Sequence, residues 1–150
     1  MTEPVITYRA EGKEMGLTFL FKYDLNSNLR EFKIESGVLN QEQITWLYNP
    51  NNFPANESIM WSKWIKDPKY KKVFKVEHFK ADLSFDAFWE LYGLKVKKKA
   101  AIKAWNKLNE SQIIKCFINL KHYENHLSKT RQAKAHLASW LNDERFEDEY

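Results

Sequence analysis

The sequence predicts an α+β chain, with a small antiparallel β-sheet and short helices at the N-terminus and a helical module at the C-terminus. Three observations carry this. Apolar and polar residues alternate with a period of two through residues 17–23 and 32–35, the pattern of half-buried strands. From Ser84 onward the apolar residues recur at helical spacing. Hydrophobic content of 43% and aromatic content of 15% over 150 residues are enough for a packed core. The change of period divides the chain into a β-rich part, residues 1–81, and a basic helical part of three to four helices, residues 82–150, ending in an acidic tail. Only four Gly and four Pro are present, which leaves little room for a flexible linker.

The elements follow in order. Residues 5–10 add a strand to the alternating runs. Leu17, Phe19, Phe21 and Tyr23 alternate with Thr18, Leu20 and Lys22, and Phe32 and Ile34 with Glu31, Lys33 and Glu35. The cluster Asp24-Leu25-Asn26-Ser27-Asn28 between them is turn-forming, so the two runs read as a hairpin with a five-residue loop, closed by Gly37. Residues 40–48 read as a short helix with Asn40 as N-cap and Ile44, Leu47 and Tyr48 on one side. After the Asn/Pro punctuation at 49–54, a second helix is expected over 55–66, stopped by Pro68. Residues 71–79 are β-like and basic, with Lys69, Lys71, Lys72, Lys75 and Lys80 in or beside them.

Phe85, Phe88, Trp89 and Tyr92 then form one apolar helix face, and Gly93 closes that helix. Residues 95–108 are expected to form the next helix, with Val96, Ala100, Ala101, Ala104, Trp105 and Leu108 on its other face. Asn109 with Gln112 three residues on is a capping-box signature for a helix over 110–128. Ile113, Cys116, Phe117, Leu120 and Leu127 face inward on it. A last short helix is expected over 131–142, ending in Trp140-Leu141.

Lys95, Lys99, Lys103 and Lys107 recur at every fourth position of the helix expected over 95–108. Like charges at that spacing are neighbours and destabilise a helix by roughly 0.2–0.5 kcal/mol per pair, so folding alone does not ask for them. A helix rises about 1.5 Å per residue, which spaces the four ammonium groups by roughly 6 Å, a ladder suited to a polyanion. Residues 83–142 carry eleven Lys or Arg against four acids, whereas residues 143–150 carry five acids and one Arg. A basic body with an acidic tip points to an anionic partner.

The sequence lacks the usual signatures of catalysis. The four glycines are scattered, so no phosphate-cradling loop forms, and no GxSxG elbow is present. The single cysteine, Cys116, permits neither an internal disulfide nor a zinc ribbon and fits a reducing compartment. His122 and His126 share a helix face at i,i+4, but Tyr123 follows the first His where a zinc-protease motif needs Glu; two exposed polar residues are the simpler expectation. Asp82, Asp86 and Glu90, spaced by four, read as acids favoured by a helix N-terminus. Trp46, Trp61 and Trp64 are irregularly placed, so one of them is a candidate stacking platform or protein anchor. No enzyme activity, cofactor or metal is expected. No signal peptide or membrane span is visible, which sets the expectation of a cytoplasmic protein without membrane contact.

Phe88-Trp89-Glu90-Leu91-Tyr92, followed by Lys95, Lys98, Lys99, Ala100, Ala104-Trp105 and Lys107-Leu108, makes a recognisable series. Tyr123, Arg131, Ala138-Ser139-Trp140-Leu141-Asn142, Arg145-Phe146 and Glu147-Asp148 complete it. Over residues 85–149 this resembles a C-terminal module of phage and prophage replication proteins of the replication-initiator and helicase-loader kind. The chain departs from that pattern at Gly93, where Pro is usual, at Ser139, where Thr is common, and at Phe146, where Trp is common. Family members often carry a winged helix in the N-terminal part, and residues 1–80 do not show one.

The resemblance implies a phage-encoded, non-catalytic accessory protein of DNA replication or helicase loading, acting in the host cytoplasm. Together with the charge pattern it sets a specific expectation: Lys95, Lys98, Lys99, Lys103, Lys107, Arg131 and Lys134 contact the phosphates of single- or double-stranded DNA, or of RNA. Trp140, Leu141, Asn142, Arg145 and Phe146 are expected to form a partner-contact element, for a host helicase or a defence nuclease. The alternative expectation is a phage-encoded inhibitor of a host nucleic-acid-processing or CRISPR-type defence enzyme. The oligomeric state is not legible.

Overall fold

A computed structural model describes residues 4–150, and the chain is α+β. It divides into two compact units, Val5–Ala81 and Asp82–Tyr150.

The first unit is built on strands β1 (Ile6–Gly12), β2 (Thr18–Tyr23), β3 (Leu29–Ser36) and β4 (Phe74–Phe79). They form one antiparallel sheet in the order β3-β2-β1-β4. Tyr8 pairs with Phe21 on one side and His78 on the other, so alternate residues of neighbouring strands share a face. One face buries Tyr8, Ala10, Phe19, Phe21, Tyr23 and Phe74. The opposite face is laced by Arg9–Glu11, Arg9–Glu35, Lys22–Glu31 and Lys75–Glu77 ion pairs. The β2–β3 loop is fixed by Asp24, whose carboxylate accepts the N–H groups of Asn26 and Asn28 at 2.9 Å. Gly37 follows β3 at φ +91°, and a Cβ there would lie 2.4 Å from the Gly16 carbonyl oxygen, so no side chain fits.

Helices cover the apolar face. Helix α1 (Gln41–Leu47) carries the expected capping box: Asn40 accepts from Gln43 N–H, and Gln43 accepts from Asn40 N–H. Leu47 is buried, but Ile44 and Tyr48, expected beside it, are exposed, because a seven-residue helix presents too narrow a face to bury all three. The helix expected over 55–66 is α-helical only over α2 (Glu57–Ile59) and continues as a π-helical turn, Met60–Ile65. Met60 and Trp64 are fully buried there, and Trp64 stacks on Phe74 at 4.4 Å. Pro68 does not merely stop that helix. It occupies the first turn of α3 (Pro68–Lys71), capped by Asp67, where a missing N–H costs nothing. Lys71 is therefore helical, and β4 begins at Phe74.

The second unit contains α4 (Phe85–Tyr92), α5 (Lys98–Trp105), α6 (Glu110–Thr130), α7 (Leu137–Asn142) and a 3-10 turn, Arg145–Glu147. Ser84 caps α4, and Gly93 ends it in the left-handed region at φ +82°. Asn109 and Gln112 form the capping box of α6, with bonds of 2.9 and 3.0 Å. The core is aromatic. Phe88 lies within 5.0–5.8 Å of Phe117, Trp105 and Trp140, and Trp140 also meets Tyr92, Tyr123 and Phe146. Ala101 and Ala104 of α5 and Ala138 of α7 are buried, and such small residues let helices approach closely. The segment 131–136 is not helical, unlike the expectation. Its backbone is held by side chains instead: Ala135 N–H donates to Tyr123 Oη at 2.9 Å, and Tyr92 Oη–H donates to the Ala135 carbonyl at 2.6 Å.

Candidate nucleic-acid interface

Between Glu90 and Glu110 stand six lysines and no Asp or Glu. The structure arranges them differently from a four-step ladder. Helix α5 spans only Lys98–Trp105, so Lys95 and Lys97 precede it and Lys107 follows it. The cause is local. Gly93 ends one helix and Asn109 starts another, and the short interval must also contain an entry and an exit turn. Lys95 is drawn back to Glu90, with its Nζ 2.8 Å from both carboxylate oxygens. Lys99 and Lys103 are the two lysines of the expected ladder that lie on α5, four residues apart and exposed.

The entry to α5 concentrates charge. Lys97 takes a left-handed conformation, φ +56°, and no side chain caps the helix. Lys97, Lys98 and Lys99 thus surround a helix N-terminus whose first N–H groups lack a side-chain acceptor. Cations are disfavoured there by the helix dipole, and an anion is favoured. Lys98 Nζ lies 6.0 Å from the Trp89 ring centroid, at the outer limit of a cation–π contact. Among the described residues, Lys97, Lys98, Lys99, Lys103 and Lys107 have no ion-pair partner, and all five are exposed. Lys97 was missed by sequence reasoning because four-residue spacing drew attention to 95, 99, 103 and 107. The run Lys97-Lys98-Lys99 was the signal for it.

The other expected phosphate contacts separate. Arg131 is exposed as the left-handed C-cap of α6, φ +58°. Lys134 is structural. Its Nζ donates to the Tyr92 carbonyl and to Glu124 at 3.3 Å, and sits 4.4 Å from the Tyr92 ring centroid. Those contacts tie the segment after α6 to the end of α4 and leave its charge compensated.

The expected partner-contact element is corrected outright for its apolar members. Trp140 and Phe146 are 0% exposed and Leu141 is 2% exposed, so all three are core. Asn142 is exposed at the end of α7. Arg145 lies 5.0 Å over the Tyr123 ring and pairs with Asp148 at 3.4 Å. The acidic tail is docked along α6. Glu147 pairs with Lys115 at 3.0 Å, Asn119 donates to the Phe146 carbonyl at 2.7 Å, and the Tyr150 ring stacks on His126 at 4.3 Å.

His126 is thereby engaged with Tyr150 while His122 is exposed, and among the described residues no group of three His, Cys, Asp or Glu is placed to hold a metal ion. Asp82 does not share a helix face with Asp86 and Glu90, because it precedes α4. It accepts the Ser84 N–H at 3.0 Å, and its bonds from Ser84 hold its carboxyl below the usual range. Cys116 is buried, and burial pushes its thiol up to about 12. No helix among the described residues is long and apolar enough to cross a membrane.

Residues 80–144, nearly the stretch on which the resemblance rests, match the family model of the Legionella vir region protein LvrA C-terminal domain. No curated protein and no solved structure matches the chain. The second unit, from its first helix through α7, is therefore similar to a C-terminal domain of a bacterial vir region protein.

Proposed function

We propose that the second unit binds the phosphate backbone of nucleic acid, and that the chain is a non-catalytic accessory protein of the phage or prophage replication type. The observation that carries the reading is the set of five exposed lysines, 97, 98, 99, 103 and 107, with no acidic partner among the described residues and an uncapped helix N-terminus in their midst. Three adjacent cations at the positive end of a helix are locally unfavourable, and a polyanion relieves that repulsion. Contacts of this kind position a protein on a duplex without reading its sequence. The ion-paired sheet face of the first unit offers no comparable excess of one sign.

Of the wider list, Lys95 and Lys134 already have acidic partners, whereas Arg131 is exposed at the end of α6 and stays a candidate contact. The expected contact element for a partner protein, helicase or defence nuclease alike, loses its apolar anchors, because Trp140, Leu141 and Phe146 are buried. Fluorescence anisotropy with a labelled duplex tests the proposal. Lys99→Glu/Lys103→Glu removes two phosphate contacts and is expected to weaken binding about 60-fold at 0.1 M salt, from roughly eightfold per contact. Unchanged affinity refutes α5 as the interface.

A further inference from the structure

The first unit holds a cavity of about 740 Å³, within the size range of small-ligand sites. It lies between α1, the π-helical turn, α3 and the sheet. Its wall is mostly apolar and includes the rings of Phe19, Trp46, Tyr70 and Phe74. Trp46 lies 5.7 Å from Tyr70 and 5.8 Å from Phe74, ring centroid to centroid. Trp64, fully buried, backs all three rings. Trp46 is 38% exposed, so of the three irregular tryptophans it is the one with a substantially open ring; Trp64 is buried, and Trp61 is half-buried and donates to Tyr8 Oη at 2.7 Å.

The polar groups on the wall are mostly spent. Asn52 donates to the Trp46 carbonyl and accepts from Tyr70. Gln43 accepts within the α1 capping box, Lys63 donates to the Asn51 carbonyl, and Asp67 accepts the Lys69 N–H. Among the described residues the Glu42 carboxylate and the Lys69 ammonium have no ion-pair partner. The wall carries two lysines, Lys63 and Lys69, and two acids, Glu42 and Asp67, and Lys66, Lys71 and Lys72 stand beside Lys69 in the sequence.

We infer that this cavity binds an unpaired nucleobase of a single strand, stacked on Trp46 and Tyr70, with Lys69 on its phosphate and Glu42 accepting from an exocyclic amine. Four features select that occupant. Rings stack on any base face. A carboxylate accepts from an amino-bearing base such as cytosine. Lys69, with Lys71 and Lys72 following it, attracts a phosphate. A peptide would bring backbone N–H and C=O groups that need partners, and the Asn52 amide on the wall is already bonded through both its nitrogen and its oxygen. The ligand class rests on the nucleic-acid reading above, but the site does not use the α5 lysines.

The test uses the full chain with labelled oligo-dC and oligo-dT twelve-mers and a duplex, at fixed salt. Trp46→Ala is expected to weaken oligo-dC binding about 5- to 150-fold, the range for one lost stacking contact, and to leave duplex binding within twofold. Glu42→Gln is expected to erase a preference for oligo-dC over oligo-dT. Trp46 also touches the buried rings of Trp64 and Phe74, so two measurements guard against misfolding. Lys69→Glu is a surface change with the same expected selectivity, and ultraviolet cross-linking of the unaltered protein to oligo-dT should label Trp46 or Tyr70. Selective loss on single strands in Trp46→Ala, with duplex affinity untouched by Lys99→Glu/Lys103→Glu, supports the cavity while refuting the α5 interface. Equal loss on both nucleic acids, absence of cross-links in 42–74, or binding of a hydrophobic peptide in place of the oligonucleotide overturns the inference.

Discussion

Replacing Phe146 separates the core role found for the C-terminal segment from an exposed partner-contact role. The ring is 0% exposed and lies 5.9 Å from Trp140, while its carbonyl is held by Asn119. Phe→Ala at a filled core site costs about 3–5 kcal/mol. A unit of about 70 residues has a total stability of roughly 3.5–10 kcal/mol at 0.05–0.15 kcal/mol per residue. Phe146→Ala therefore removes between a third and all of it. Phe146→Leu keeps most of the volume and costs on the order of 1–2 kcal/mol. At 4–8 °C per kcal/mol for a domain this size, that is a drop of about 4–16 °C. The assay is hydrogen exchange read by mass spectrometry on α6 and α7 peptides, because it reports on this unit specifically. The slowest α6 amides should lose about 100-fold or more of their protection in Phe146→Ala, and about tenfold in Phe146→Leu. Wild-type protection in Phe146→Ala would refute the core assignment and restore the residue as a contact for another molecule.

Three further perturbations follow from the same packing. Tyr92→Phe or Tyr123→Phe each leaves one Ala135 backbone group without its partner, at about 1–3 kcal/mol; a double-mutant cycle in denaturant should show less than additive loss, since both hydroxyls hold one residue. Cys116 ionises near 9.0 when exposed and is pushed up to about 12 by burial, so between those values the unfolded state binds fewer protons than the folded one and stability falls as pH rises. That slope, at most about 1.4 kcal/mol per pH unit, should flatten in Cys116→Ala between pH 9 and 10, measured by exchange of α6 amides. Gly37→Ala forces a Cβ against the Gly16 carbonyl at φ +91° and should lower the melting temperature of the sheet unit by an amount corresponding to at least about 1–3 kcal/mol, read by calorimetry.

What was legible in the sequence is what local chemistry decides. Asn40 with Gln43, Asn109 with Gln112, and Gly93 mark helix ends because each satisfies or releases backbone groups within a few residues of itself. The hairpin was legible because side-chain alternation and the Asp24 turn are both local. The reading failed where local signals competed and where tertiary partners decide. The helix expected over 95–108 shortened because the interval between Gly93 and Asn109 must also hold an entry and an exit turn, and Lys95 is drawn back to Glu90. Pro68 was legible as a helix breaker, yet its use at a first turn depended on Asp67 as a cap. The C-terminal segment resembled an exposed acidic tip, and only Asn119, Lys115 and Trp140, at least five residues distant in sequence, make it part of the core. The same holds for the candidate site. Its charge excess was visible in composition, but which lysines remain unpaired depended on Glu90 and Glu124.

The most direct measurement is the salt dependence of duplex binding by the unaltered protein and by Lys99→Glu/Lys103→Glu. Five phosphate contacts give a slope of log affinity against log salt near −4.5, at about −0.9 per contact, and roughly a 500-fold loss between 50 and 200 mM. The variant should show a slope shallower by about 1.8 or more. A flat response in the unaltered protein, or the same slope in both, contradicts binding through the lysines of α5.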